Sequence, residues 1–174
     1  MTTAKAARFG ELPPRYHFIF NPYPDERLSR CPLCNQKSRQ RKIPLLIHVD
    51  PLYLIALNYT CRYCPDCDLL IAHKHEIEHL LTELFRQRAP DMIGNDYLVL
   101  GTVEKGAWHE GVARPAGIEE MLAHTSDFVV VYEELRMSRP GYYRDDQEPP
   151  ILEPPPSREW VKVKRRVRRR LLDR

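Results

Sequence analysis

Apolar residues along this chain fall into two kinds of pattern, short continuous runs and one helical stripe. Tyr16-His17-Phe18-Ile19-Phe20 is aromatic and β-branched and is stopped by Asn21-Pro22-Tyr23-Pro24, so it predicts a short strand. Ile43 to Val49 and Leu52 to Tyr59 are two apolar runs joined at Asp50-Pro51, the pattern of a β-hairpin. Pro44 then has to lie at a strand start or on an edge, because it donates no ladder hydrogen bond. Asp68 to Ala72 is short and strand-like. From His75 the period changes. Ile77, Leu80, Leu81, Leu84 and Phe85 follow one helical stripe, with Glu76 and Glu78 in the first turn, Arg86 and Arg88 in the last, and Pro90 as the stop. Tyr97 to Val103 predicts a strand, and Glu104 to Gly106 a turn before Trp108. Pro115 opens a short helix with Ile118, Met121 and Leu122 inward, and Asp127 to Tyr132 predicts a strand running on toward Leu135 or Met137.

These elements predict an α+β protein: β-hairpins, an amphipathic helix, a small strand–helix–strand part and a basic tail. The expected organisation is a flexible leader (1–15), a hairpin module (16–74), and a helix with a small α+β part (75–139) that can be continuous with that module. A proline-rich linker (140–157) and a basic amphipathic tail (158–174) follow.

All five cysteines of the 174 residues fall between positions 31 and 67. Cys31-Pro32-Leu33-Cys34 and Cys64-Pro65-Asp66-Cys67 share their spacing and the proline after the first cysteine, which presets a turn. Two such turns supply four thiolates at the corners of a tetrahedron, the donor set of structural zinc. Cys61 offers competing sets with Cys64 or Cys67; the repeated proline favours Cys64 and Cys67 and leaves Cys61 as a packed thiol. Coordination by His73 in place of a cysteine stays open.

Over about residues 28–72 the two knuckles resemble a zinc ribbon, and rubredoxins use similar knuckles for iron. The resemblance implies that Cys31, Cys34, Cys64 and Cys67 ligate structural Zn2+, or iron, in a β-rich module. Such modules occur in many nucleic-acid-associated and ribosome-associated proteins. This chain departs from the usual pattern by its fifth cysteine and by Asn35 and Asp68 in the position where glycine is common.

Charge is segregated. Residues 1–48 carry nine basic and three acidic side chains, residues 76–156 carry seven and sixteen, and residues 157–174 carry nine and two. Around Trp160, Val163, Val167 and Leu171 the tail places Lys162, Lys164, Arg165, Arg166, Arg168, Arg169 and Arg170. With Arg39, Arg41 and Lys42 between the cysteine pairs, these residues predict contact with RNA, DNA or a ribonucleoprotein. Tyr53, Tyr59 and Tyr63 are available for stacking. The alternative is a protein–protein adaptor or structural subunit, with a protein partner or a homo-oligomer, using the acidic 76–156 part.

His75-Glu76-Ile77-Glu78-His79 matches the His-Glu-x-x-His pattern of metal-dependent hydrolases. At about 100° per residue, His75 and His79 lie about 160° from the apolar stripe, on the polar face rather than in a cleft. No recognisable third ligand follows, and four-thiolate zinc has no open position, so a non-enzymatic protein is expected, with a metal-dependent hydrolase using His75, Glu76 and His79 as the lesser alternative. No apolar run predicts a transmembrane segment and no secretory leader is evident, so a cytoplasmic location is expected.

Overall fold

The computed structural model describes residues 8–114 and 117–162. It is an α+β structure built on one mixed seven-stranded sheet. In chain order the elements are β1 (His17–Asn21), β2 (Arg39–Val49), β3 (Tyr53–Cys64), β4 (Leu69–His73), α1 (Lys74–Arg88), β5 (Tyr97–Val103), α2 (Lys105–Ala113), α3 (Ile118–Ala123), β6 (Thr125–Asp127) and β7 (Val130–Val131). Among these helices none is long and apolar enough to cross a membrane.

The spatial order is β6-β5-β2-β3-β4-β1-β7. The long antiparallel β2–β3 hairpin forms its middle, and β1 lies parallel to both β4 and β7. Although β6 and β7 sit at opposite margins, only Phe128 and Val129 separate them in the chain. The two margins are therefore neighbours in space, and the sheet curls into a barrel-like wall. Consecutive amides face the two sides: Phe128 donates to the Leu100 carbonyl at 3.2 Å and Val129 to the Tyr16 carbonyl at 2.8 Å.

Strand alternation fills the inside of this wall with Phe18, Leu45, Ile47, Val49, Cys61, Leu70, Ala72 and Val99. Ile77, Leu81 and Phe85 of α1 join that core, as does Phe128. Leu80 and Leu84, at the margins of the predicted stripe, are half exposed. The β1–β4 pair is buried on both faces: Ile19, Leu69 and Ile71 belong to a second, outer cluster with Cys31 and Cys64. Burial on both faces explains the unbroken apolar text of Leu69 to Ala72.

Pro44 lies on an edge, as expected: it falls in the stretch 39–44 of β2 that pairs with β3 alone, since pairing with β5 starts at Leu45. Three other local expectations differ from the structure. The region after Glu104 is a helix, α2, anchored by Trp108, whose indole N–H donates to the Ala56 carbonyl at 3.3 Å. In α3, Ile118 is exposed, and Asp127 to Tyr132 is split where the chain passes from one sheet margin to the other.

The proline-rich stretch runs against the body. Arg139 and Leu152 amides bond to the Pro150 and Met137 carbonyls, and the Tyr23 hydroxyl donates to the Leu152 carbonyl. Trp160 is buried against Phe85 and Tyr97, with its indole N–H on the Asn95 carbonyl at 2.9 Å. The backbone of Lys162 passes so close to Gly94 (φ +86°) that a Cβ there would lie 2.3 Å from the Lys162 nitrogen.

Candidate metal centre

Cys31 and Cys34 sit in a turn between β1 and β2. The Cys31 amide donates to the Gln36 carbonyl (2.8 Å), the Asn35 amide to the Cys31 carbonyl (2.9 Å), and Arg30 bridges Lys37. Cys64 ends β3, and Cys67 occupies the turn into β4. After each knuckle the chain is left-handed, with φ of 60° at Asn35 and 51° at Asp68. Asparagine and aspartate are the side-chain-bearing residues that tolerate this region best, so they can stand where glycine is common. The Asp68 carboxylate accepts a bond from the Tyr63 hydroxyl at 2.7 Å, while its carbonyl takes the His17 amide at 2.9 Å.

The sulfurs of Cys31, Cys34, Cys64 and Cys67 all lie within 4.8 Å of one another. Cys31 and Cys67 are 3.9 Å apart, and Cys34 and Cys64 are 3.5 Å apart. A tetrahedron with metal–sulfur bonds of about 2.3 Å has edges of about 3.8 Å, so the cluster can coordinate a divalent metal, Zn2+ or iron. The His17 ring nitrogen Nδ1, 3.0 Å from the Cys67 carbonyl, braces the second knuckle.

Thiol electrostatics in the cluster are mixed. A hydrogen bond from the Gln36 amide pulls Cys34 below the ordinary thiol value. Burial raises Cys64, and the neighbouring Cys34 thiol followed by burial pushes Cys67 up to about 12. Metal binding therefore has to displace protons from this group.

Cys61 is outside the cluster. Three residues from Cys64 on an extended strand, it points to the opposite face, into the core, where burial alone raises its thiol far above the ordinary value. His73 also stands apart; its Nε2 lies 2.7 Å from the Glu26 carbonyl.

His75, Glu76 and His79 each face a different partner. His75 Nε2 is 3.0 Å from the Pro155 carbonyl, the Glu76 carboxylate accepts the Tyr59 hydroxyl, and His79 Nδ1 is 2.5 Å from the Glu159 carboxylate. Among the described residues they do not form a group of three metal donors; the four cysteines do.

The basic residues divide by strand parity. Arg39 and Arg41 share a face of β2 with the core positions, and Arg41 lies over the rings of Tyr63 (4.9 Å) and Tyr16 (5.4 Å). Lys42 points to the other face. Lys162 is exposed, whereas Lys164, Arg165, Arg166, Arg168, Arg169 and Arg170 lie outside the described residues. Of the tyrosines, Tyr59 is buried and Tyr53 packs edge-on to Phe85. Comparison with family models, curated proteins and solved structures finds no match.

Proposed function

We propose that this is a non-enzymatic, cytoplasmic protein in which a structural Zn2+ staples two ribbon-type knuckles to a curled sheet, and that it contacts RNA or DNA through the basic end beside the knuckles. The metal would be held by Cys31, Cys34, Cys64 and Cys67 and would supply folding energy rather than chemistry, since four thiolates leave no open position.

The observation that carries the nucleic-acid reading is a set of basic side chains flanking the first knuckle in the chain and at the starts of β1 and β2. Arg15, Arg30, Lys37 and Arg39 are exposed, and among the described residues none of them, nor Arg41, pairs with a carboxylate. Four thiolates on a divalent ion leave a charge of about −2, which offsets only part of this positive charge. Phosphates are the natural complement to the remainder, with segment 162–170 adding to it.

The test is binding of a labelled single-stranded RNA across a salt series, with Arg30, Lys37 and Arg39 changed together to glutamine. The expected slope of log affinity against log salt flattens by about 2, at roughly 0.7 per lost phosphate contact. An unchanged slope, or no binding at low salt, contradicts the reading.

A second reading, a protein–protein adaptor or structural subunit, is favoured by one observation. Val129, Val130, Val131 and Tyr132 form an exposed apolar run beside the outer sheet margin. Val131→Asp would then abolish association with a protein partner or second copy, measured by sedimentation, while leaving RNA affinity unchanged.

A further inference from the structure

The outer face of β2 and β3 carries a second group of polar side chains, away from the basic end described above. Directly paired strand residues share a face, so Gln40 and Arg62 stand side by side there, with Ile71 of β4 beside Arg62. Only three residue pairs join β3 to β4, from Cys64–Leu69 to Arg62–Ile71. Beyond them the chains diverge as β4 runs into α1, opening a cleft of about 480 Å³. Arg27, Gln40, Thr60, Arg62 and His73 line it, with Tyr59 and Glu76 on the α1 side.

Arg62 Nε is shut off from solvent and has no hydrogen-bond partner. Among the described residues, neither Arg27 nor Arg62 pairs with a carboxylate. The Arg62 Nη groups likewise form no hydrogen bond among the described residues but are not shut off, so they are the donors that a ligand oxygen in the cleft would meet. The start of α1 borders the same cleft; no side chain caps this 15-residue helix at His73, so its first-turn amides and its positive dipole end are available. Glu76 is the one carboxylate present and is engaged by the Tyr59 hydroxyl. Two guanidiniums and a helix start thus outweigh one carboxylate.

We propose that this cleft binds a phosphate-sized oxyanion, held by Arg27 and Arg62 with Gln40, Thr60 and the first amides of α1 completing its hydrogen bonds. The volume leaves room for the group carrying the phosphate, so a nucleotide end and free phosphate share this chemistry. Arg27 belongs to the loop leading into the first knuckle. That loop is pinned where the Glu26 carbonyl accepts from the Asn21 side-chain amide at 2.9 Å and meets His73. The metal staple and the oxyanion site are therefore mechanically joined through residues 21–31.

The site is tested on the full-length, metal-loaded chain in phosphate-free buffer. Inorganic phosphate is titrated while the Arg62 Nε–H and Gln40 side-chain amide signals are followed by NMR. Both signals should shift saturably at millimolar phosphate, and sulfate should compete. Affinity should fall about tenfold in Arg27→Gln, an exposed position, and at least as far in Arg62→Gln. Tighter binding of a nucleoside monophosphate than of inorganic phosphate assigns a nucleotide end as the source; equal affinity assigns free phosphate. Absence of a saturable shift, or unchanged affinity in both variants while each keeps its metal, overturns the proposal. The variant with Arg30, Lys37 and Arg39 changed to glutamine should retain phosphate binding here, so failure of this site and failure of the RNA reading are read separately.

Discussion

Asn35 and Asp68 show how much one backbone angle asks of a residue. Each follows a knuckle at positive φ, where a Cβ crowds the following carbonyl, by about 1–2 kcal/mol for most side chains. Asn35→Gly should keep metal and stability at or above the parent level, whereas Asn35→Val should lower unfolding stability by about 1–2 kcal/mol in urea melts of the metal-loaded protein. Equal stability of the two variants would remove the conformational explanation. The cysteine spacing disclosed the knuckles because ligand chemistry is local. Cys61 is separable in the sequence only through the repeated proline of the knuckles; the structure adds that odd spacing on β3 turns it away from Cys64. The unpartnered Arg62 Nε left no trace in the text, because its surroundings are assembled from three separate strands and a helix.

At the scale of elements, period was informative wherever one face alone is buried. The α1 stripe is the clearest case, and Ile77, Leu81 and Phe85 are indeed its buried residues. The helix α2 was hidden because Gly106 and Gly111 make its text resemble a turn. Neither glycine is required by geometry: a Cβ at either position meets nothing within 4 Å, and neither has positive φ. Gly111→Ala should therefore stabilise the protein by about 0.5–1 kcal/mol, read as a rise in the denaturation midpoint. A lower midpoint would contradict this reading of the glycine.

For the whole molecule, closure of the curled sheet and the path of the C-terminal segment were the least legible features. Both depend on contacts distant in sequence: β6 and β7 bind opposite margins, and Trp160 reads as the start of a basic amphipathic segment yet lies in the core with Phe85 and Tyr97. Trp160→Ala should cost about 3–5 kcal/mol, while a truncation beginning at Val163 keeps this anchor and isolates the charge of the tail. A loss under 1 kcal/mol by chemical denaturation would place Trp160 outside the folded unit. The same segment carries a pH-sensitive contact. His79 is raised above its ordinary value of 6.5 by its hydrogen bond to Glu159. A raised histidine contributes stability that is fully present below its unfolded value and is lost as pH rises through the folded one. Trp160 fluorescence should thus report looser packing of the segment above that window than below it, and His79→Gln should remove the dependence.

If one metal on four named thiolates holds the knuckles to the sheet, elemental analysis of purified variants will show it. One zinc or iron per chain is expected in the parent and in Cys61→Ala, with loss of both metal and cooperative folding when Cys31, Cys34, Cys64 or Cys67 is changed singly to serine. Two metals per chain, metal lost from a folded Cys61→Ala, or metal retained in full by any of the four serine variants would contradict it.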